Sequence, residues 1–75
     1  MAMNYWRLKL RGERPADEIQ SAIGRSGGTV LRIHFEGGET SVYVSAEKSA
    51  ALMAAKATKA GTPEKINAGE VIKFT

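Results

Sequence analysis

Hydrophobic and polar residues alternate without interruption over the first predicted strand, which runs from about Tyr5 to Arg11. Trp6, Leu8 and Leu10 fall on one side of this strand, because successive side chains leave opposite faces. The other side is polar and strongly basic, with Tyr5, Arg7, Lys9 and Arg11. One face of this strand therefore belongs to a core, and the other faces water or an acidic partner.

Helical spacing replaces this alternation after Gly12. Pro15 suits the first turn of a helix, where its fixed φ fits and its missing N–H is not needed. Ile19 and Ile23 recur at the i, i+4 interval of an apolar stripe. The pattern predicts a first helix of about ten residues, from Pro15 to about Gly24.

A β-hairpin is predicted from strands Thr29–Glu36 and Thr40–Ser45, because the Gly37-Gly38 pair accepts the positive φ angles of a two-residue turn. Strict alternation assigns the side chains of both strands. It predicts Leu31, Ile33, Phe35, Val42 and Val44 inside, and Val30, Arg32, His34, Ser41 and Tyr43 outside.

An alanine-rich stretch, residues 46–60, predicts the second helix, since alanine has the highest helix propensity. Ser45 is the expected N-cap and Gly61 the expected residue after the helix. The last strand is predicted at Glu70–Thr75, with a short strand at Lys65-Ile66 before it.

The element order β-α-β-β-α-β predicts one α+β domain over residues 1–75 with a ferredoxin-like fold: a four-stranded antiparallel sheet with both helices on one face. Right-handed crossovers give the strand order 4-1-3-2. The alternative is a small α+β domain in which Lys65-Ile66 and residues 71–74 form their own hairpin. The strand order and the turn from Gly12 to Pro15 are similar to those of small-molecule-sensing ACT domains, a resemblance that implies a ligand-sensing module.

Composition narrows the class of protein. The chain has 75 residues, no cysteine, and a net charge of +3 from 11 basic and 8 acidic residues. We expect a soluble cytoplasmic protein, because no apolar run reaches the roughly 18 residues of a membrane span and the N-terminus lacks a signal-peptide pattern. His34 is the only histidine, so we expect no metal site, no cofactor and no enzyme activity.

The predicted candidate site is the sheet face opposite the helices, where cations surround aromatic rings and Glu36 is the only carboxylate that alternation assigns to this face. Single-stranded nucleic acid is bound by such an arrangement, in which cations contact phosphates and rings stack on bases. The sequence predicts a small binding module for nucleic acid or another polyanion, with these contact residues: Tyr5, Arg7, Lys9, Arg11, Arg32, His34, Tyr43 and Lys73.

An alternative from a different class is a homo-oligomeric interaction or ligand-sensing module. The alanine-rich helix lets another backbone approach closely, and a small sheet has two edges that a second copy can pair with. Arg14, next to the start of the first helix, is a further candidate for binding an anion.

Overall fold

The computed structural model describes residues 4–12, 14–67 and 69. It is an α+β structure with a four-stranded antiparallel sheet and two helices. In chain order the elements are β1 (Asn4–Arg11), α1 (Ala16–Arg25), β2 (Thr29–Glu36), β3 (Glu39–Ala46), α2 (Lys48–Thr58) and β4 (Glu64–Ile66).

The strands lie in the order β2-β3-β1-β4, so the two strands with the clearest alternation, β1 and β3, are central. β3 pairs with β1 over eight residues and with β2 on its other side. The fourth strand of the described sheet includes the short strand predicted at Lys65-Ile66. β4 is the short segment Glu64–Ile66, which pairs antiparallel with β1 from Tyr5 to Arg7, whereas Glu70–Thr75 lies outside the described residues.

The hydrophobic core lies between one face of the sheet and both helices. β1 and β3 contribute alternate residues to it, α1 contributes Ile19 and Ile23, and α2 contributes small side chains. Its buried members are Trp6, Leu8, Leu10, Ile19, Ile23, Val42, Val44, Ala46, Ala51, Ala54 and Ala55. The alternation of β1 thus predicted its buried face correctly.

α2 packs its alanines against the domain's own sheet, because Ala51, Ala54 and Ala55 are buried in the same core as β1 and β3. Its ends differ from the prediction. Glu47 is the N-cap, since β3 continues through Ser45 to Ala46. At the other end Lys59 is the C-cap, and its left-handed φ of 58° takes the role expected of Gly61.

β2 carries an irregularity that alternation does not predict. Its pairing with β3 shifts between Val30 and Arg32, so Leu31 is the extra residue of a β-bulge. Val30 therefore packs against the core instead of facing outward, and Leu31 is 42% exposed instead of buried. Beyond the bulge, Arg32 and His34 are on the predicted side.

Side-chain hydrogen bonds hold the central strands together at both ends. Trp6 Nε1 donates to the Ala46 carbonyl at 2.9 Å, and buried Thr40 donates from Oγ1 to the Gly12 carbonyl at 2.6 Å. The β2–β3 turn has positive φ at both Gly37 and Gly38, as a type I′ hairpin requires. The register of the sheet is therefore fixed at each end.

Candidate nucleic-acid interface

The candidate site is the sheet face opposite α1 and α2, called the outer face here. The register brings its side chains into rows that cross the strands. From the hairpin end, these rows are Arg11–Glu39–Glu36, Lys9–Ser41–His34, Arg7–Tyr43–Arg32 with Glu64, and Tyr5–Ser45 with Ile66. Seven of the eight predicted site residues lie in these rows, and Lys73 lies outside the described residues.

The third row contains the most deeply buried side chain of the outer face. Tyr43 lies between Arg7 and Arg32, and the Nε atoms of both arginines are buried. The tyrosine itself is only 2% exposed. The prediction that Tyr43 offers an exposed ring for base stacking is therefore wrong, although its assignment to the outer face is right.

Arg7 also forms an ion pair across the sheet, with Nη2 2.6 Å from Glu64 Oε1. Hydrogen bonds from Arg7 to Glu64 and to Tyr43 raise the pKa of the guanidinium, which stays charged. The same contact with Arg7 lowers the pKa of Glu64. Since Glu64 already contacts Arg7, an incoming phosphate competes with this carboxylate for the arginine.

The second row is basic and lies nearer the hairpin. Lys9 is exposed, and Ser41 separates it from His34 in the register. His34 Nε2 lies 3.2 Å from Glu36 Oε2 at a partly exposed position. With Arg32 in the neighbouring row, this part of the outer face presents cations from both β1 and β2.

The first row carries more negative charge than the sequence predicted. β3 begins at Glu39 rather than Thr40, and this places Glu39 opposite both Arg11 and Glu36. Together with Glu64, three described carboxylates share the outer face with four described fixed cations. The prediction that Glu36 is the only carboxylate on this face is wrong, so the face is less basic than expected.

The fourth row is partly apolar. Tyr5 is half-buried, and its register partner Ile66 is 7% exposed although it lies on the outer face. Sequence analysis missed Ile66 and Glu64 as members of this face because it placed the last strand further along the chain. Of the two tyrosines, Tyr5 is the more exposed residue.

Arg14 makes a hydrogen bond within the protein. Its Nη1 donates to the Thr58 carbonyl at 2.5 Å, which connects the segment before α1 to the last turn of α2. A positive group at a helix C-terminus is stabilising, because unpaired carbonyls give that end partial negative charge. This contact competes with the predicted use of Arg14 as an anion-binding group.

Two open grooves lie outside the outer face. One, of about 420 Å³, runs beside α2 and is lined by Leu52, Met53, Lys56 and Pro63 among others. The other, of about 520 Å³, is lined by Arg14, Pro15, Ala16 and Phe35. Neither brings together an acid and a base.

Among the residues that the structure describes, no cluster of three or more His, Cys, Asp or Glu side chains is arranged to hold a metal ion. In the same part of the chain, no helix combines the length and apolar character needed to cross a membrane. Comparison with protein-family models, curated proteins and solved structures gives no match.

Proposed function

We propose that this protein is a small, non-catalytic binding module whose outer face contacts the phosphates of single-stranded nucleic acid. The observation that carries the proposal is the convergence of Lys9, Arg32 and His34 in adjacent rows of the sheet. Cations held by paired strands keep a fixed spacing, which a flexible phosphate backbone can follow. The absence of cysteine agrees with a cytoplasmic location, which belongs to the same proposal.

The proposal also includes a more specific description of the fold. Two β-α-β halves joined by a hairpin, with β1 and β3 central, agree with a ferredoxin-like arrangement whose fourth strand is short. In that arrangement both helices lie on one face of the sheet and leave the other for a ligand. Fold alone does not fix function, so the side chains of the outer face are what support the proposed function.

The proposed phosphate contacts are fewer than the number of basic residues that the sequence predicts on the outer face. Arg7 is held by Glu64, and Arg11 faces Glu39. Lys9 and Arg32 form the main contact, and His34, which also contacts Glu36, is secondary together with Arg7 and Arg11. Tyr5 is the one proposed stacking ring. Recognition is therefore mostly of the phosphate backbone, with weak affinity and little preference for base sequence.

Salt dependence tests this proposal directly. Contact with about three phosphates predicts a slope of about −2 in a plot of log association constant against log salt. The measurement is fluorescence anisotropy of a labelled oligothymidine between about 20 mM and about 200 mM salt, the range where counterion release dominates. We expect Lys9→Glu and Arg32→Glu each to weaken binding at least about tenfold.

The matched control is Lys56→Glu, which makes the same change in net charge at an exposed position of α2. It leaves binding unchanged if the outer face is the site. Equal losses for Lys9→Glu and Lys56→Glu would show attraction by net charge alone and overturn the proposal, as would absence of binding at the lowest salt. Inorganic polyphosphate binding more tightly than the oligonucleotide would replace nucleic acid with a different polyanion.

A further inference from the structure

β2 lies at one edge of the sheet. Among the described residues, no strand pairs with the side of β2 that points away from β3. It is eight residues long, against three for β4 at the other edge. Its sequence contains no lysine or proline, two residues that commonly protect edges. The bulge at Leu31 distorts only the beginning of the strand, so Arg32–Glu36 forms a regular, accessible edge.

We propose that a second copy of this chain pairs with this edge, with the two β2 strands antiparallel and the two-fold axis at His34. This inference goes beyond the proposed nucleic-acid function and stands without it, although both use Arg32, which in the dimer would face a carboxylate as Arg7 faces Glu64. A closed two-fold dimer uses the same patch on both copies, so the edge must be self-complementary. Backbone geometry, charge and apolar contact each favour this one register.

Backbone geometry gives the first argument. The type I′ turn joins Glu36 to Glu39 as a hydrogen-bonded pair, and such pairs alternate along an antiparallel ladder. The backbone groups of Glu36, His34 and Arg32 therefore point toward β3. Those of Ile33 and Phe35 point away from the sheet, where a second strand centred on His34 would form four hydrogen bonds with them.

Charge gives the second argument. With the axis at His34, Arg32 of each copy lies opposite Glu36 of the other, so two pairs of opposite charge form on the outer face. If the axis is moved by one residue to Ile33, the pairing of the two strands shifts by two residues. Arg32 then lies opposite His34 of the other copy instead of Glu36. Moving the axis to Phe35 leaves Arg32 beyond the end of the partner strand. Opposite charges directly across an antiparallel pair are stabilising, whereas like charges are destabilising.

Apolar contact gives the third argument. Phe35 is 45% exposed at this edge, on the side of the sheet that carries the helices, and Ile33 is partly buried against the core. The proposed register places Phe35 of each copy opposite Ile33 of the other, which covers the exposed ring. The result is a continuous eight-stranded sheet in which the Lys9–Ser41–His34 rows of the two copies meet end to end.

Five paired residues on each strand make a small interface, below about 1,200 Å² in total, so we expect a dimer that dissociates in the micromolar range. Sedimentation of the full chain without nucleic acid, from about 20 μM to about 1 mM, measures its dissociation constant. A protein that stays monomeric throughout this range would overturn the proposal.

A charge exchange tests the register. Arg32→Glu and Glu36→Arg each place like charges opposite one another, and we expect each to raise the dissociation constant at least about tenfold. The double variant R32E/E36R restores opposite charges and should return it to within about threefold of the original. Lys9→Glu, two strands from the edge, is the control that should leave dimerisation unchanged.

Unchanged amide spectra at low concentration show that each variant is folded. If a variant unfolds, the original protein still provides a test, because a mixture of labelled and unlabelled chains should give intermolecular NOEs between Ile33 and Phe35. Failure of the double variant to recover a folded dimer, or absence of these NOEs in the original dimer, would overturn the register. A dimer disrupted by Met53→Lys and unaffected by Arg32→Glu would assign association to α2 instead.

Discussion

Arg7 Nη2 and Glu64 Oε1 lie 2.6 Å apart, so a side-chain ion pair reinforces the short backbone pairing between β1 and β4. Both side chains are partly exposed, and an ion pair in that setting contributes little to stability. The main structural effect of this ion pair is to position β4 beside β1. It gives the three-residue β4 a specific partner in the row that also contains Tyr43.

The first prediction concerns the pH dependence of this pair. The folded-state pKa of Glu64 is lowered by Arg7, so its stabilising effect is present above the unfolded pKa and is lost as the pH falls through the folded value. We expect Glu64→Gln to be slightly less stable than the original protein at pH 7, and the difference to disappear as the pH falls through the lowered folded-state pKa of Glu64. Denaturant unfolding over a series of decreasing pH values measures this, and a difference that does not shrink in acid would contradict it.

Packing of α2 gives the second prediction. Ala54 is 1% exposed and faces the sheet, whereas Ala57 is exposed. Ala54→Leu should lower the free energy of unfolding by about 1–3 kcal/mol, because the added atoms have no space in a packed core. Ala57→Leu adds the same atoms on the surface and should change stability by less than about 0.5 kcal/mol. Equal effects in urea unfolding would show that α2 does not pack as described.

The burial of Trp6 gives the third prediction. Trp6→Phe removes the donor to the Ala46 carbonyl and leaves a small cavity, so we expect a loss of about 2–4 kcal/mol. Thermal unfolding followed by circular dichroism avoids dependence on tryptophan fluorescence. Leu52→Ala, on the exposed side of α2, is the comparison and should cost less than about 0.5 kcal/mol. Similar losses for the two variants would contradict a special role for Trp6.

Sequence alternation predicted β1 well because each of its apolar residues is separated by a polar one, and Trp6, Leu8 and Leu10 are all buried. It failed at Leu31 because a bulge changes the parity of a strand without changing its composition. The short strand predicted at Lys65-Ile66 overlaps β4, but its pairing with β1 was not predicted, since three residues are too few to show a period. The longer Glu70–Thr75 segment gave a stronger strand pattern, and it lies outside the described residues.

The candidate site was only partly predictable for a different reason. Alternation along β3 assigned Tyr43 to the outer face correctly. The exposure of Tyr43, however, depends on neighbours from other strands, namely Arg7 and Arg32. Likewise, the charge of the face depends on where β3 begins. One additional residue at its start brings Glu39 opposite Arg11. Such contacts between strands are set by register, which a single sequence does not specify in full.

The fourth prediction uses two glycines whose added methyl group would meet no atom within 4 Å. Gly38 has φ of +77°, so Gly38→Ala should destabilise the hairpin by about 1 kcal/mol through backbone strain alone. Gly24 lies within α1 without positive φ, and Gly24→Ala should stabilise the protein by about 0.5–1 kcal/mol, because alanine favours helix and restricts the unfolded chain. The two variants should therefore change the free energy of unfolding in opposite directions, as measured by denaturant unfolding, although both replace glycine with alanine. A Gly38→Ala variant as stable as the original protein would show that the hairpin does not adopt the type I′ turn on which the β2–β3 register, and the proposed pairing of two β2 strands, both depend.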